Sequence, residues 1–255
     1  MTTNVICRPR KLLTSDSRWS CELEGHPGLI AFVDDTNFDK LAIRPAHALV
    51  FAGDSQLISD WKTWFSAPTL NLLQHPGFHR LLPGTNKLVS MVVSLVQKPS
   101  CDVMFTSGNF LAHGEDARFS GSGAPFAKDC YARNRCGRTA ISTAGSQDPA
   151  TGGQMKFVEL DTGSNNLSVL QATLNDATMA LQERGFVMDT ATKTVTPIKE
   201  WKPASNEALR AIASGAVSIS APTGLPTRCW SEQEQNEFMK ALGEVARQET
   251  EMRRS

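Results

Sequence analysis

The sequence has no excess of charge of either sign, because 26 Lys and Arg residues balance 26 Asp and Glu residues among 255. A protein whose main task is to grip nucleic acid usually carries a basic excess, so this balance argues against that class. Zero net charge is also poor at keeping copies of a protein apart in solution. The composition therefore weakly favours a protein that assembles into a larger particle.

Long apolar runs are also missing. No stretch approaches the roughly 18 apolar residues needed to cross a bilayer, and the longest run, residues 88–96, is interrupted by Ser90 and Ser94. The first residues lack the apolar core of a secretory signal. The six cysteines form no C-x-x-C pair and fit no zinc spacing, which favours free thiols in a reducing compartment. We therefore expect a cytoplasmic protein without metal or cofactor, and with no membrane or nucleic-acid partner.

Segments with strand-like and helix-like hydrophobic patterns alternate along the chain. The sequence contains no internal repeat. Apolar and β-branched segments predict strands at 2–7, 12–20, 29–34, 48–53, 101–112, 116–121 and 153–161. Helical spacing and capping residues predict helices at 54–65, 87–97, 125–134, 139–147 and 167–184, and a last helix from Ser231. Strands that alternate with pairs of helices predict a layered α+β domain.

The first candidate for chemistry is Thr2, which follows Met1. A small second residue permits removal of the initiator methionine, and removal would leave a threonine with a free α-amino group. Such an amine has a pKa of about 7.7–8.0, so a fraction is neutral near pH 7 and can take the proton of the residue's own hydroxyl. Taken alone, a Met-Thr start is far more often an ordinary frayed terminus.

Three further residues are placed by the sequence near this threonine. A hairpin turn at Pro9 would bring Asp16 of the D-S-R motif back beside Thr2. Lys40 could lower the pKa of the threonine hydroxyl through its charge, and Asp16 could keep that lysine charged. Gly53 lies at a strand-to-helix switch, where its N–H could stabilise an oxyanion. In isolation, each is more simply a surface turn, a solvated lysine or a helix-entry glycine.

Two glycine motifs complete an ordered set. G-S-G occurs at 121–123 with A-P-F-A after it, and D-P-A-T-G-G occurs at 148–153. Together with T-T, D-S-R and the lysine, they resemble the catalytic β-type subunits of the proteasome family. The set is particularly similar to the simpler bacterial members, the HslV-like peptidases and the betaproteobacterial proteasome homologues. The resemblance covers roughly residues 2–161.

The resemblance implies a fold and an activity. The fold would be the four-layer αββα sandwich of N-terminal-nucleophile hydrolases. The activity would be that of a self-compartmentalising threonine endopeptidase, a homo-oligomer of two stacked rings that cleaves proteins or peptides in an internal chamber. The sequence names no partner unfoldase and does not give the number of subunits in a ring.

By position, the resemblance also assigns roles to single residues. Thr2 would be the nucleophile and, through its amine, the general base. Lys40 would tune it, Asp16 would pair with that lysine, and Gly53 would supply the oxyanion N–H. The remaining assignments are Ser122, Asp148 and Thr151 as the polar cluster around the amine, Arg18 as a structural residue, Ser20 as a partner of the substrate backbone, and Trp19 and Phe51 beside the first specificity pocket.

The resemblance leaves residues 162–255 without a counterpart. We expect residues 2–161 to form the catalytic core, and 162–255 to form a mostly helical extension packed on the core or on a neighbouring subunit. The sequence S-E-Q-E at 231–234 is a capping box that starts the last helix. An apolar stripe follows at helical spacing, made of Phe238, Met239, Leu242 and Val245. Such a stripe is usually covered, by its own domain or by a neighbour.

Two other function classes stay open. One is a noncatalytic ring scaffold that keeps the fold without the chemistry, and the other is a small-amide acylase of the N-terminal-nucleophile class. Loss of Met1 in the purified protein would favour an enzyme over a scaffold. A closed ring particle would favour the peptidase over an acylase, since acylases need no chamber.

Overall fold

The structure, a computed structural model, describes residues 2–23, 25–84, 86–108, 110–201, 210–211 and 218–254. The strands are β1 (Asn4–Cys7), β2 (Leu12–Ser15), β3 (Trp19–Glu22), β4 (Leu29–Val33), β5 (Leu41–Ile43), β6 (His47–Asp54), β7 (His79–Leu81), β8 (Leu88–Gln97), β9 (Val103–Thr106), β10 (Leu111–His113), β11 (Ala117–Ser120), β12 (Lys156–Glu159), β13 (Phe186–Asp189), β14 (Val195–Pro197) and β15 (Ser220–Ala221). The helices are α1 (Ser55–Phe65), α2 (Ala124–Asn134), α3 (Gly137–Gln147), α4 (Leu174–Arg184) and α5 (Glu232–Met252). The protein is mixed α and β with antiparallel sheets, as the sequence predicts.

Two sheets organise these strands. The smaller has the order β10-β11-β1-β2-β12. The larger has ten strands in the order β14-β13-β4-β3-β15-β6-β8-β7, with β5 paired to β6 and β9 paired to β8. The predicted hairpin forms β1 and β2, with Asn4 opposite Ser15. Because this register continues into the preceding residues, the backbone N–H of Asp16 donates to the carbonyl of Thr3 at 3.1 Å.

Three apolar clusters show which faces are buried. Helices α2 and α3 pack on the smaller sheet in a cluster that includes Val5 and Phe119. Ile6 of the smaller sheet meets Val50 of the larger sheet in a second cluster. Helices α1, α4 and α5 pack on the larger sheet in a third cluster around Trp61. Side chains alternate between the faces of a strand, so neighbouring residues such as Val5 and Ile6 enter different clusters.

Helix boundaries follow from local capping. Asp54 ends β6 and caps α1, where its side chain accepts from the N–H of Leu57 at 3.0 Å. At the start of α5, Ser231 and Glu234 form the predicted capping box. The predicted helices at 54–65, 125–134 and 139–147 and the last helix are therefore confirmed, with boundaries shifted by up to two residues.

The predicted helix at 87–97 is wrong, because these residues form strand β8. Met91, Val93 and Leu95 enter the cluster beneath the helices, whereas Val96 enters the cluster between the sheets. A strand buried on both faces has a nearly continuous apolar sequence, which a buried helix also has. The apolar run alone therefore did not discriminate between the two.

Three other predicted segments are shorter than expected. Residues 12–20 do not form one strand, since the chain leaves β2 after Ser15 and enters β3 of the other sheet at Trp19. Residues 101–112 divide in the same way into β9 and β10. The helix predicted at 167–184 begins only at Leu174, where Thr173 forms a capping box with Asp176.

Residues after 161 add both helices and strands to the molecule. Strand β13 pairs with β4, and β15 lies between β3 and β6 of the larger sheet. Part of the predicted helical extension, residues 202–209 and 212–217, lies outside the described residues. Among the residues that are described, no helix is long and apolar enough to cross a membrane.

Candidate active site

The first three predicted residues meet where β2 ends and β1 begins. The Nζ atom of Lys40 lies 2.7 Å from the hydroxyl oxygen of Thr2 and 2.8 Å from Oδ1 of Asp16. The Thr2 hydroxyl in turn donates to the same carboxylate oxygen. Each of the three residues has at most 1% of its surface exposed. A hydroxyl, an ammonium and a carboxylate therefore form a closed triangle away from solvent.

Burial and charge act on Lys40 in opposite directions. Loss of solvent lowers the pKa of Lys40 from its ordinary value of 10.5, and the Asp16 carboxylate partly opposes that shift. A third bond, from Nζ to the carbonyl oxygen of Arg18 at 2.6 Å, uses the last donor of the ammonium. The lysine is therefore fixed in position beside the hydroxyl, with its proton affinity reduced.

Backbone donors hold the Asp16 carboxylate. Its Oδ1 accepts from the N–H of Thr3 at 3.0 Å. Its Oδ2 accepts from the N–H groups of Arg18 at 3.2 Å and Gly152 at 3.1 Å. A buried carboxylate needs such partners to offset its desolvation. These bonds also tie the D-S-R motif to the D-P-A-T-G-G motif, which is 130 residues away in the sequence.

The second predicted cluster centres on Asp148. Its Oδ2 accepts from the hydroxyls of Ser122 and Thr151, each at 2.7 Å. The Thr151 hydroxyl oxygen lies 2.7 Å from that of Thr3. The cluster therefore reaches the N-terminal strand through Thr3, a residue that the sequence analysis did not assign to the site.

Glycines allow the G-S-G motif to approach the threonine. Gly121 has a φ of +92°, and a Cβ there would lie 2.0 Å from the carbonyl oxygen of Thr2. A Cβ on Gly123 would lie 2.0 Å from the hydroxyl oxygen of Thr3. The N–H of Gly123 donates to the Thr2 carbonyl at 3.2 Å. Any side chain at either glycine would displace the first residues of the chain.

Arg18 holds two loops together. Its guanidinium makes two 2.8 Å bonds to the Asp34 carboxylate and donates to the carbonyl of Pro149 at 2.6 Å. A Cβ on Gly152 would lie 2.5 Å from the Arg18 guanidinium carbon, so the loop packs directly against it. Arg18 therefore links Asp34, which follows β4, to the loop that contains Pro149. Asp34 was missed, because a single acid after a strand has no distinguishing local signal.

The four remaining predicted residues lie in strands β3 and β6. Gly53 and Ser20 lie opposite Ala221 and Ser220 of β15. Trp19 is fully buried and stacks on Phe38, and Nζ of Lys40 lies 5.3 Å from its ring. The remaining one, Phe51, is also fully buried in the core and joins the cluster beneath the helices.

Comparisons with known proteins leave the site to be interpreted from its geometry. A scan against models of protein families and a search among curated proteins both gave no match to this chain. Within the described part of the chain, no group of three His, Cys, Asp or Glu side chains could hold a metal ion. What the site offers chemically is a buried hydroxyl held between an ammonium and a carboxylate, which is suited to nucleophilic attack.

Proposed function

We propose that the chain is a self-compartmentalising threonine endopeptidase in which Thr2 is the nucleophile. The observation that carries the proposal is the 2.7 Å contact between Nζ of Lys40 and the Thr2 hydroxyl oxygen. A solvated lysine, the simpler interpretation of the sequence, would not be 99% buried against a hydroxyl. A hydroxyl is a weak nucleophile, and a neighbouring cation stabilises the alkoxide that attack requires.

The reaction begins with proton transfer within Thr2. Once Met1 has been removed, the free α-amine takes the hydroxyl proton while Oγ1 forms a bond to the scissile carbonyl carbon. The amine then gives that proton to the leaving nitrogen as the C–N bond breaks. The product is an ester on Thr2, which a water molecule hydrolyses with the same amine as base. Lys40 stabilises the charge on Oγ1, and Asp16 keeps Lys40 charged.

The remaining residues position the reacting groups. The chain of hydroxyls from Thr3 through Thr151 to Asp148 holds the first residues in register. In the proposed function, Gly53 supplies an N–H to the oxyanion and Ser20 pairs with the substrate backbone. Trp19 and Phe51 are bulky and apolar, which favours small or medium apolar side chains before the scissile bond.

The proposed fold and assembly are those of the N-terminal-nucleophile hydrolases. Helices packed on the smaller sheet, a cluster between the two sheets and helices packed on the larger sheet support a four-layer αββα sandwich. Two stacked rings of subunits would enclose the sites in a chamber, so that only chains that enter it are cut. The zero net charge of the sequence is compatible with such close association.

The test is the pair of variants Thr2→Ala and Thr14→Val. Thr14 is also fully buried in the hairpin, and its hydroxyl has no hydrogen-bond partner among the described residues. We expect Thr2→Ala to abolish peptide cleavage without changing particle size, and Thr14→Val to keep activity. Intact mass of the wild-type protein should show loss of Met1. Undiminished cleavage by Thr2→Ala, or a retained Met1 in active protein, would contradict the proposal.

A further inference from the structure

The reactive hydroxyl is closed off in this conformation. In the chain that still carries Met1, Thr2 has no exposed surface, so a peptide carbonyl reaches its oxygen only after Met1 is removed or another part of the chain moves. A segment from far along the sequence, residues 218–224, borders the site and includes strand β15. To uncover the site, this segment would have to break its backbone pairing and the contacts at its two ends.

Strand β15 fills a slot one strand wide. Ser220 lies opposite Ser20 of β3 and Asp54 of β6, and Ala221 lies opposite Gly53. Because β15 is antiparallel to both neighbours, β3 and β6 run parallel to each other, about 9.6 Å apart, which is twice the usual strand spacing. Without β15, two facing edges would bind one extended peptide through their backbone groups.

The two strands that border the slot, β3 and β6, both lie next to Lys40, which contacts the proposed nucleophile. The carbonyl of Arg18, just before β3, accepts from Nζ of Lys40. The N–H of Phe51 in β6 donates to the carbonyl of the same lysine at 3.0 Å. A peptide that takes the place of β15 would therefore lie beside the residues that hold the Thr2 hydroxyl.

The segment is fastened at both ends. Ser218 donates to the Asp54 carboxylate at 3.0 Å, and the carbonyl of Pro222 accepts from the N–H of Ser122 at 3.2 Å. Gly224 has a φ of +72°, and a Cβ there would lie 2.6 Å from Cα of Ser122. Pro222 has no N–H to continue the ladder, so the paired part is only two residues long.

We propose that residues 218–224 are an autoinhibitory strap that occupies the groove for an extended peptide substrate. This inference rests on the proposed function, because it takes Thr2 as the group that the strap protects. The strap belongs to the same chain, and tethered segments act at effective concentrations on the order of millimolar. A substrate must compete with it, so the strap raises KM more than it changes kcat. Two paired residues are few enough for an extended peptide to displace.

The experiment measures access to position 2 without requiring catalysis. The variant Thr2→Cys is treated with iodoacetamide, and alkylation of the introduced thiol is followed by peptide mapping, which separates it from the exposed Cys229. The same is done after adding Gly224→Ala, which pushes the strap from Ser122, or Ala221→Glu, which puts a charge where no surface is exposed. The matched control is Gly163→Ala, at a φ of +74° with nothing within 4 Å of the added methyl.

The strap predicts that Gly224→Ala speeds alkylation at position 2 by about tenfold or more, since the open population rises, and that Gly163→Ala does not. With Thr2 intact, Gly224→Ala should lower KM for a short peptide. The rate of alkylation at position 2 is compared with that of Thr2→Cys alone. If it is no higher in any folded double variant that carries Gly224→Ala or Ala221→Glu, the strap proposal is wrong. If access rises but no variant with Thr2 cleaves peptides, the strap stands and the proposed function fails.

Discussion

The Arg44–Glu249 and Lys40–Asp16 ion pairs are both buried, and they are built differently. Arg44 binds Glu249 of α5 through two nitrogens and donates from the third to two backbone carbonyls at and just beyond the end of α1. Lys40 binds Asp16, a carbonyl and the hydroxyl of Thr2. The planar guanidinium of Arg44 holds α5 and the end of α1 together, whereas the compact ammonium of Lys40 makes one of its bonds to the Thr2 hydroxyl, which can react.

The comparison separates structural from chemical use of the same charges. Among the described residues, the hydrogen-bond acceptors of the Arg44 guanidinium are a carboxylate and two backbone carbonyls, and the pair joins α5 to the core near Phe65. Breaking it should therefore change stability. Breaking the pair at Asp16 should change reactivity, because its lysine touches the proposed nucleophile.

The largest expected effect is loss of turnover in Lys40→Ala. Removing a positioned group that stabilises developing charge costs roughly 10²–10⁴ in rate. Lys40→Arg should not restore activity, because the larger guanidinium cannot take the same three bonds. Turnover per folded particle of Arg44→Ala should match wild type. Wild-type turnover in Lys40→Ala would remove the distinction between the two pairs.

The next largest effect is on the stability of Arg44→Ala. Leaving Glu249 buried without its partner should lower the free energy of unfolding by about 3–5 kcal/mol, measured by urea denaturation. The control is Arg138→Ala, which breaks the half-exposed pair with Glu159 and should cost less than about 1 kcal/mol. Equal losses in the two variants would contradict a structural role for the Arg44–Glu249 pair. Retained peptide turnover in folded Arg44→Ala would sharpen the contrast with Lys40.

The pH dependence of turnover gives a third test. Activity should fall at low pH as the free amine of Thr2 gains a proton and can no longer act as the base. It should also fall at high pH as Lys40 loses its proton. Because the pKa of Lys40 is lowered, this alkaline limb should lie below the ordinary lysine value of 10.5. An activity that persists beyond that value would show that the lysine charge is not needed.

The smallest effect concerns the hydroxyl bridge to Asp148. Thr3→Val keeps the shape of the side chain but removes its bond to Thr151. One such bond contributes about 1 kcal/mol, so we expect a several-fold loss of turnover, measured with a fluorogenic peptide. Thr14→Val removes a hydroxyl with no hydrogen-bond partner in the described part of the chain and should have no effect. Equal activities of the two variants would exclude a positioning role for the bridge.

Local signals allowed much of the site to be predicted. The turn at Pro9 sets the register of β1 and β2, which places Asp16 opposite Thr3, and the carboxylate of Asp16 then reaches the hydroxyl of Thr2. The cap at Asp54 likewise set the start of α1. Lys40 required more than spacing, and its assignment came from the ordered motifs of a family resemblance.

Features made by distant parts of the chain were missed. Asp34 acts through Arg18, and β15 enters a sheet about 200 residues after β3. Two paired residues carry no periodicity that a sequence pattern can detect. Strand β8 was misassigned because burial on both faces removes the alternation that marks a strand.

The sequence pattern did not decide whether the apolar stripe of the last helix packs on its own domain or on a neighbouring subunit. Phe238, Leu242 and Val245 have no exposed surface and lie in the protein's own core cluster, with Met239 packed against it. This arrangement favours docking on the same subunit. Reinforcement of a ring by α5 stays a prediction, which sedimentation of a chain lacking residues 231–255 would test.

The most direct test of the central claim is the chemistry of Thr2 with a peptide epoxyketone. If Thr2 is an N-terminal nucleophile, its hydroxyl oxygen bonds to the ketone carbon and its free amine opens the epoxide, so both atoms are joined to the inhibitor. Peptide mapping should find the entire inhibitor mass on Thr2 in the wild-type protein and none in Thr2→Ala. Labelling at Thr3, or no labelling in particles that cleave peptides, would contradict the account.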